Sequence, residues 1–404
     1  MATVTQDKGA GIQLLTGSEV MANIVRLADV DVITAYPIRP YDTVMQFVSR
    51  FIANGEFDAD YIPAESEHGQ FEIVQHASAC GARVFTGSSG VGWLYAMEPL
   101  AVTAGLRLPM VALVGCRALD DPGAFGTEHN DAMLVRDLGW LITFPDNAQE
   151  VVELGLLAYR VAEDPKVFLP CAIAMDGAFL THSQATVKLP TQEQVNKFLP
   201  PYNRGDLLLH PDNPITIAPQ ANEDWLMEVR RQSSEAAKRA YTVLKDAHKD
   251  FCKIFGVNTN PFLDEYMTED ADVVLCGLGT LSLPVKVAIR EMRKEGKKVG
   301  LVRLKWFRPF AAEELRASLS RFKAVGVVDR DYSFGSPFHG GILLNEVKAA
   351  LYGLDKAPQV KGFVCGLGGR EVLLENVKDM ADKVLAIAKS GKADTAVEWL
   401  GVRG

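Results

Sequence analysis

Residues 31–40, Asp31-Val32-Ile33-Thr34-Ala35-Tyr36-Pro37-Ile38-Arg39-Pro40, join a short apolar run to a loop stiffened by two prolines. The run over 31–35 reads as a strand buried on both faces, and the prolines end it. Helical patterns flank it over 17–29 and 41–54. The same alternation continues outward. Residues 83–86, 109–115, 141–144 and 166–175 read as strands, while 66–81, 93–105 and 147–163 read as helices with Ser66 and Asp146 as N-caps. Such a βαβα order predicts a mostly parallel sheet covered on both sides.

From 181 to 219 the pattern fades. Pro190, Pro200, Pro201, Pro211, Pro214 and Pro219 mark a crossing linker with no periodicity of its own. An amphipathic repeat then runs over 222–255 through Leu226, Val229, Ser233, Ala236, Ala240, Val243, Ala247 and Phe251. One long helix between domains is expected there. A second α/β unit follows, with strands at 272–276, 298–304, 324–328 and 360–365 and helices at 283–295, 312–322, 341–351 and 370–390. The expected fold is α/β: two doubly wound parallel-sheet domains joined by a long crossover helix. The boundaries read as 1–195, 196–265 and 266–404.

A chain of 404 residues, 48% hydrophobic, can bury two such cores. Its net charge of −9 argues against nucleic acid or an anionic membrane as partner. Cys80, Cys116, Cys171, Cys252, Cys276 and Cys365 are scattered, with no metal or cluster spacing. Buried thiols in a reducing cytoplasm are expected. Residues 1–11 carry no apolar secretory segment, and Glu98, Pro99, Arg107 and Pro109 interrupt the most apolar stretch, 94–116.

Four loops carry candidate chemistry. Tyr36-Pro37-Ile38-Arg39-Pro40 lies at a strand's carboxyl end, where α/β sheets bind ligands. Arg39 is either a pre-ordered ligand group or a solvated turn residue. In Pro63-Ala64-Glu65-Ser66-Glu67-His68, helix capping accounts for Glu65. Glu67, before an almost uncharged helix, can instead lie half-buried and handle a proton. His68 and His76 lack spaced metal partners. Thr86-Gly87-Ser88-Ser89-Gly90-Val91-Gly92 offers close backbone approach to an anion or ring, yet fits neither phosphate-loop pattern. Gly115-Cys116-Arg117-Ala118-Leu119-Asp120 ends a strand in an arginine and leads to Gly126-Thr127-Glu128-His129-Asn130-Asp131. Arg117 there meets either a carboxylate ligand or an interdomain acid.

Taken in order, these motifs resemble the α subunit of 2-oxoacid:ferredoxin oxidoreductases: a YPITP-type loop, an (E)SE-helix, a T-x-S-x-G loop and an arginine-ended strand. The resemblance spans residues 15–185, and the second unit suits the family's following domain. It implies a thiamine diphosphate pyrimidine-binding domain plus a transketolase C-terminal-like domain. Glu67 then matches the glutamate that hydrogen-bonds the aminopyrimidine and promotes ylide formation, with Pro37, Ile38, Ser89 and Gly90 beside the cofactor. Arg117 matches the arginine that grips the substrate carboxylate, with Arg39, Tyr36 and Asp120 around it. No GDG…N segment is present, which implies a β subunit holding the diphosphate and magnesium. Iron–sulfur clusters would sit in γ and δ (ferredoxin-like) subunits, with a flavin subunit added if NAD is reduced.

Arg39 stands where pyruvate-type enzymes carry threonine, and Arg39-Pro40-Tyr41-Asp42 is similar to the oxalate oxidoreductase and phenylglyoxylate dehydrogenase branch. A second cation beside Arg117 favours the two carboxylates of oxalate on physical grounds, although it also suits one carboxylate and a ring. The composition has no thermophile-like Lys/Glu enrichment, so phenylglyoxylate oxidation to benzoyl-CoA is the first reading. Oxalate is second and pyruvate third. Two other classes compete. One is a non-catalytic interaction subunit, disfavoured by the presence of both Glu67 and Arg117. The other is a nicotinamide enzyme built on Gly277-Leu278-Gly279-Thr280, which lacks the third glycine and the acidic partner of that fingerprint.

Overall fold

The computed structural model describes residues 11–120, 122–394 and 396–403, so most of the polar start, residues 1–10, lies outside the described residues. The first half runs β1 (Gly11–Thr16), α1 (Gly17–Leu27), β2 (Val32–Ala35), α2 (Asp42–Ala53), β3 (Asp60–Pro63), α3 (Glu67–Ala79) and β4 (Val84–Ser88). It continues through α4 (Gly90–Tyr95), α5 (Met97–Gly105), β5 (Val111–Cys116), α6 (Asn130–Met133), β6 (Leu141–Thr143), α7 (Ala148–Ala162), β7 (Cys171–Asp176), β8 (Gln184–Leu189) and α8 (Gln192–Phe198). The long helix α9 (Asn222–Phe255) follows. The second half holds β9 (Leu263–Tyr266), β10 (Val273–Leu278), α10 (Ser282–Lys294), β11 (Val299–Leu304), β12 (Trp306–Arg308), α11 (Ala312–Leu319) and β13 (Ala324–Asp329). It ends with α12 (Ile342–Leu351), β14 (Gln359–Val364), α13 (Leu374–Ser390) and β15 (Glu398–Trp399).

Two sheets carry the fold, in the orders β12-β6-β7-β5-β4-β2-β3 and β15-β14-β13-β10-β11-β9. All their pairings are parallel except β12 on β6 and β9 on β11, both at sheet edges. The α/β reading with two parallel sheets therefore holds. The apolar runs made it legible, because β4, β5, β7, β10, β11 and β13 are buried at every position.

Several local expectations need correction. The stretch after 181 is not featureless: β8 pairs antiparallel with β1, and α8 starts with a Thr191–Gln194 capping box. β8 earns its strand geometry from β1, far away in sequence, so no local pattern announces it. Residues 166–170 form no strand, since Asp164 O accepts the N–H groups of both Val167 and Phe168 in a turn. The helix expected over 93–105 starts earlier and is two helices, α4 and α5. Pro99 has no N–H to continue the ladder from Tyr95. Ser66 does cap α3, accepting from Gly69 N at 3.1 Å. Asn147 rather than Asp146 caps α7, accepting from Glu150 N at 3.0 Å. Among the cysteines, Cys80 is exposed and Cys252 half-buried, while the other four are buried. Cys80 sits at the C-cap of α3 and Cys252 on α9, whereas Cys116, Cys171 and Cys276 lie within β5, β7 and β10.

Helix α9 bridges the two halves. Arg239 Nε donates to Lys166 O on one side, while Tyr241 stacks on Phe262 (4.7 Å) and Lys245 pairs with Glu314 on the other. The halves also share strands and charges: β12, from the second half, completes the first sheet. Asp146 is released from capping to face that half. Its Oδ2 accepts from Ser282 Oγ (2.9 Å) and Lys286 Nζ (3.1 Å), and lies 3.5 Å from Arg303 Nε. Burial pushes the Asp146 carboxyl up. Arg303 and Lys286, with the bonds from Lys286 and Ser282, outweigh that and bring it down to about 2. No described helix is long and apolar enough to cross a membrane.

A carboxyl held down at about 2 stabilises the fold above its ordinary pKa of 3.8, and the contribution disappears as pH falls between those values. Asp146→Asn should therefore be less stable than wild type by about 2 kcal/mol at pH 7. Calorimetry should show the gap narrowing below about pH 4. A pH-independent gap would assign the effect to packing.

Candidate functional site

The carboxyl ends of β2, β4 and β5, with the N-terminus of α3, converge on one turn, residues 89–92. Gly90 has φ +51°, and a methyl group built on it would lie 2.6 Å from Arg117 Nε. Two residues on, a methyl on Gly92 would overlap Glu67 Oε1 and lie 2.7 Å from Ile38 Cδ1. Only glycine fits at both positions. Glu67 and Arg117 are thus packed against the same turn of backbone.

Glu67 is the first residue of α3 and only 7% exposed. Among the described residues no hydrogen bond holds its carboxylate. Gln70, one turn on, is fully buried and donates Nε2 to Gly87 O at 2.7 Å, which anchors α3 to the end of β4. Thr34 Oγ1 donates to Gln70 O at 2.9 Å and ties in β2. A buried carboxylate on a rigid helix start, without a partner of its own, is poised to accept from a ligand N–H or to hold a ligand proton.

Arg117 is 6% exposed. Nη2 donates to Asp120 Oδ2 (3.0 Å) and Nη1 to Arg39 O (3.2 Å), whereas Nε finds no partner among the described residues. The guanidinium carbon lies 5.2 Å from the centre of the Phe125 ring, a residue 77% exposed. Asp131 is fully buried; its Oδ2 accepts from Gly90 N (2.9 Å) and Arg117 N (3.0 Å), and its Oδ1 from Ala132 N (2.7 Å). Burial pushes the Asp131 carboxyl up to about 7, although these three bonds pull it down.

The expected residues therefore do not all fall together. Glu67, Ile38 and Gly90 line the turn with Arg117 and Asp120. Ser89 is buried with its Oγ unpartnered among the described residues, 2.7 Å from where a Gly115 methyl would sit. Tyr36 is half-buried and Pro37 exposed on the β2 loop. Arg39 contributes its carbonyl rather than its charge: the side chain is 82% exposed, with Asp42 Oδ2 at 3.8 Å. His68, paired with Glu98 at 3.3 Å, and the exposed His76 stand apart from this group.

Sequence reasoning missed Asp176, which closes β7. It accepts from Thr127 Oγ1 (3.1 Å), Thr280 N (2.7 Å) and Thr280 Oγ1 (2.5 Å), with His129 Nε2 at 2.6 Å and Arg330 Nη1 at 3.2 Å. Burial pushes this carboxyl up, but His129 and Arg330 hold it well below the usual range. Gly277-Leu278-Gly279-Thr280 is accordingly a tight turn that presents Thr280 to Asp176. The one available signal was a lone acid ending an apolar strand. A large cleft lined by Asp146, Glu150, Glu153, Arg303 and Lys305 lies elsewhere between the sheets, and its charges are paired with one another.

By fold and site this is a two-sheet α/β chain whose ligand-bearing loops gather at the carboxyl edge of its first sheet. Residues 23–249 match the family described as pyruvate flavodoxin/ferredoxin oxidoreductase, thiamine diphosphate-binding, and residues 271–377 match pyruvate:ferredoxin oxidoreductase core domain II. The chain belongs to the 2-oxoacid:ferredoxin oxidoreductase family, as an α subunit. It is 36% identical over 393 residues to pyruvate synthase subunit PorA of Methanocaldococcus jannaschii, covering 97% of this chain and 98% of that one. It is 38% identical over 387 residues to ketoisovalerate oxidoreductase subunit VorA of Pyrococcus horikoshii, covering 96% and 97%. A solved 2-oxoglutarate:ferredoxin oxidoreductase from Magnetococcus marinus shares the fold, with a TM-score of 0.70 at 17% identity, over 92% of this chain and 66% of that chain.

The turn leaves no room for added atoms. Gly92→Ala should displace Glu67 or Ile38 and lower stability by about 1–3 kcal/mol. Melting the variant and titrating it with thiamine diphosphate in the assembled enzyme checks this; wild-type values in both would mean that the turn is looser than described.

Proposed function

We propose that this chain, assembled with partner subunits, serves the thiamine diphosphate-dependent oxidative decarboxylation of phenylglyoxylate to benzoyl-CoA and carbon dioxide. The observation that carries the reading is the pair Glu67 and Arg117 packed against one glycine turn: an acid for the cofactor ring and a cation for the substrate. The unpartnered Glu67 carboxylate fits an aminopyrimidine N–H. When bound, the cofactor supplies the carbon nucleophile and the electron sink. Glu67 holds the proton that the ring exchanges, while Pro37, Ile38, Ser89 and Gly90 shape the wall beside it. Arg117 grips the substrate carboxylate, and Asp120 keeps its fork oriented.

The substrate reading rests on what surrounds that arginine. One guanidinium is buried, beside an aromatic ring, and Arg39 turns its charge outward. That arrangement favours one carboxylate with an aryl group over the two carboxylates of oxalate. Arg39 and Tyr36 would meet the substrate at the rim. The second reading is an aliphatic 2-oxoacid, favoured by relatives named for pyruvate and ketoisovalerate. The partners in this proposal are a cytoplasmic set: a β subunit for the diphosphate and magnesium, and γ and δ subunits for iron–sulfur clusters. A flavin subunit joins if NAD is the acceptor. Its support is that six scattered cysteines cannot ligate a cluster within this chain.

In the assembled complex Glu67→Gln should lower turnover at least about 100-fold with assembly intact. Near-wild-type turnover would remove Glu67 from cofactor activation. Phenylglyoxylate should exceed pyruvate, ketoisovalerate and oxalate in kcat/KM, and Arg39→Thr should weaken it about tenfold more than pyruvate. A preference for an aliphatic acid would replace the aryl reading, and equal effects of Arg39→Thr on both acids would take Arg39 out of the pocket.

A further inference from the structure

Asp131 reaches the site only through backbone. A single buried oxygen, Oδ2, accepts N–H groups from two different loops: Gly90 after β4 and Arg117 after β5. The distance between those loops decides where the Arg117 side chain lies against Gly90, since there is no space between them. Helix α6, which carries Asp131, is a single turn and is held from outside the first sheet. Asn130 Nδ2 donates to Tyr332 O (2.9 Å), Tyr332 N donates to Asn130 Oδ1 (3.0 Å), and His129 N donates to Arg330 O (2.9 Å). Arg330 and Tyr332 directly follow β13, in the second sheet.

We propose that Asp131 is a positioning residue that aims Arg117, and that the Asn130–Tyr332 bond pair transmits the docking of the second sheet to the substrate arginine. The chain of contacts is short: the loop after β13 holds Asn130 and His129, α6 carries Asp131, and Asp131 holds both loops of the turn. The inference rests on the reading of Arg117 as the carboxylate-binding group. It adds that affinity for the 2-oxoacid is set from the second sheet, by groups that never touch substrate.

Asn130→Ala removes the pair while leaving every proposed ligand group in place. In the assembled enzyme, assayed with whichever 2-oxoacid it turns over best, Asn130→Ala should raise KM about tenfold with kcat within about twofold and cofactor affinity unchanged. Asp131→Asn, which sets an amide N–H against backbone donors, should raise KM further. Arg117→Lys serves as the reference, and Asn130→Ala added to it should have little further effect, because the two act on one guanidinium. A purely structural role predicts additive losses. If Arg117→Lys leaves KM unchanged, the carboxylate-binding reading fails first. If Arg117→Lys raises KM while folded Asn130→Ala does not, or if the double variant is additive, the positioning role is overturned and the reading of Arg117 stands. Should Asp131→Asn fail to assemble, the Asn130–Arg117 cycle alone decides.

Discussion

The Asp176 carboxylate is the joint on which the two sheets meet. It ends β7 of the first sheet and receives Thr280 from the turn after β10 and Arg330 from the end of β13, so the carboxyl edges of both sheets face each other across it. A lone charge this deep would cost several kcal/mol. Here His129, Arg330 and two hydroxyls surround it, and burial makes those bonds strong rather than weak. Because β12 also crosses into the first sheet, the second half of the chain is a structural part of the first.

Facing the carboxyl edges together has a chemical consequence. Loops at that edge are the usual carriers of ligand groups, and the second sheet closes over several of them from behind. His129 and Asn130 serve this closure through their bonds to Arg330 and Tyr332. Glu67 and Arg117, an acid and a cation, are packed against one turn of glycines.

Rigidity at that turn comes from exclusion rather than from attraction. The glycines at 90 and 92 leave bare backbone, and the side chains of Arg117, Glu67 and Ile38 fill the space where methyl groups would be. Dense packing of this kind transmits small displacements, which is why the placement of Asp131 under the turn matters more than its distance from any ligand.

Much of this architecture was legible in the amino-acid order. Runs such as Val111–Cys116 and Ala324–Asp329 are apolar throughout because both faces of a parallel sheet are covered, and the helix over 222–255 declares itself by periodicity. Glu67 and Arg117 were readable as candidates, since each sits at a strand or helix end, and the structure packs both against one glycine turn. Other features depended on partners distant in sequence: β8 on β1, β12 on β6, Asp146 on Arg303, and Asp176 on Thr280 and Arg330. The outward turn of the Arg39 charge was equally hidden. Burial and long-range pairing decide such matters, and neither leaves a local pattern. Sequence alone determined the buried strands, the long helix and the α/β class; only the tertiary structure decided the pairing of β8 and β12 and which charges face one another, because these depend on how distant segments dock.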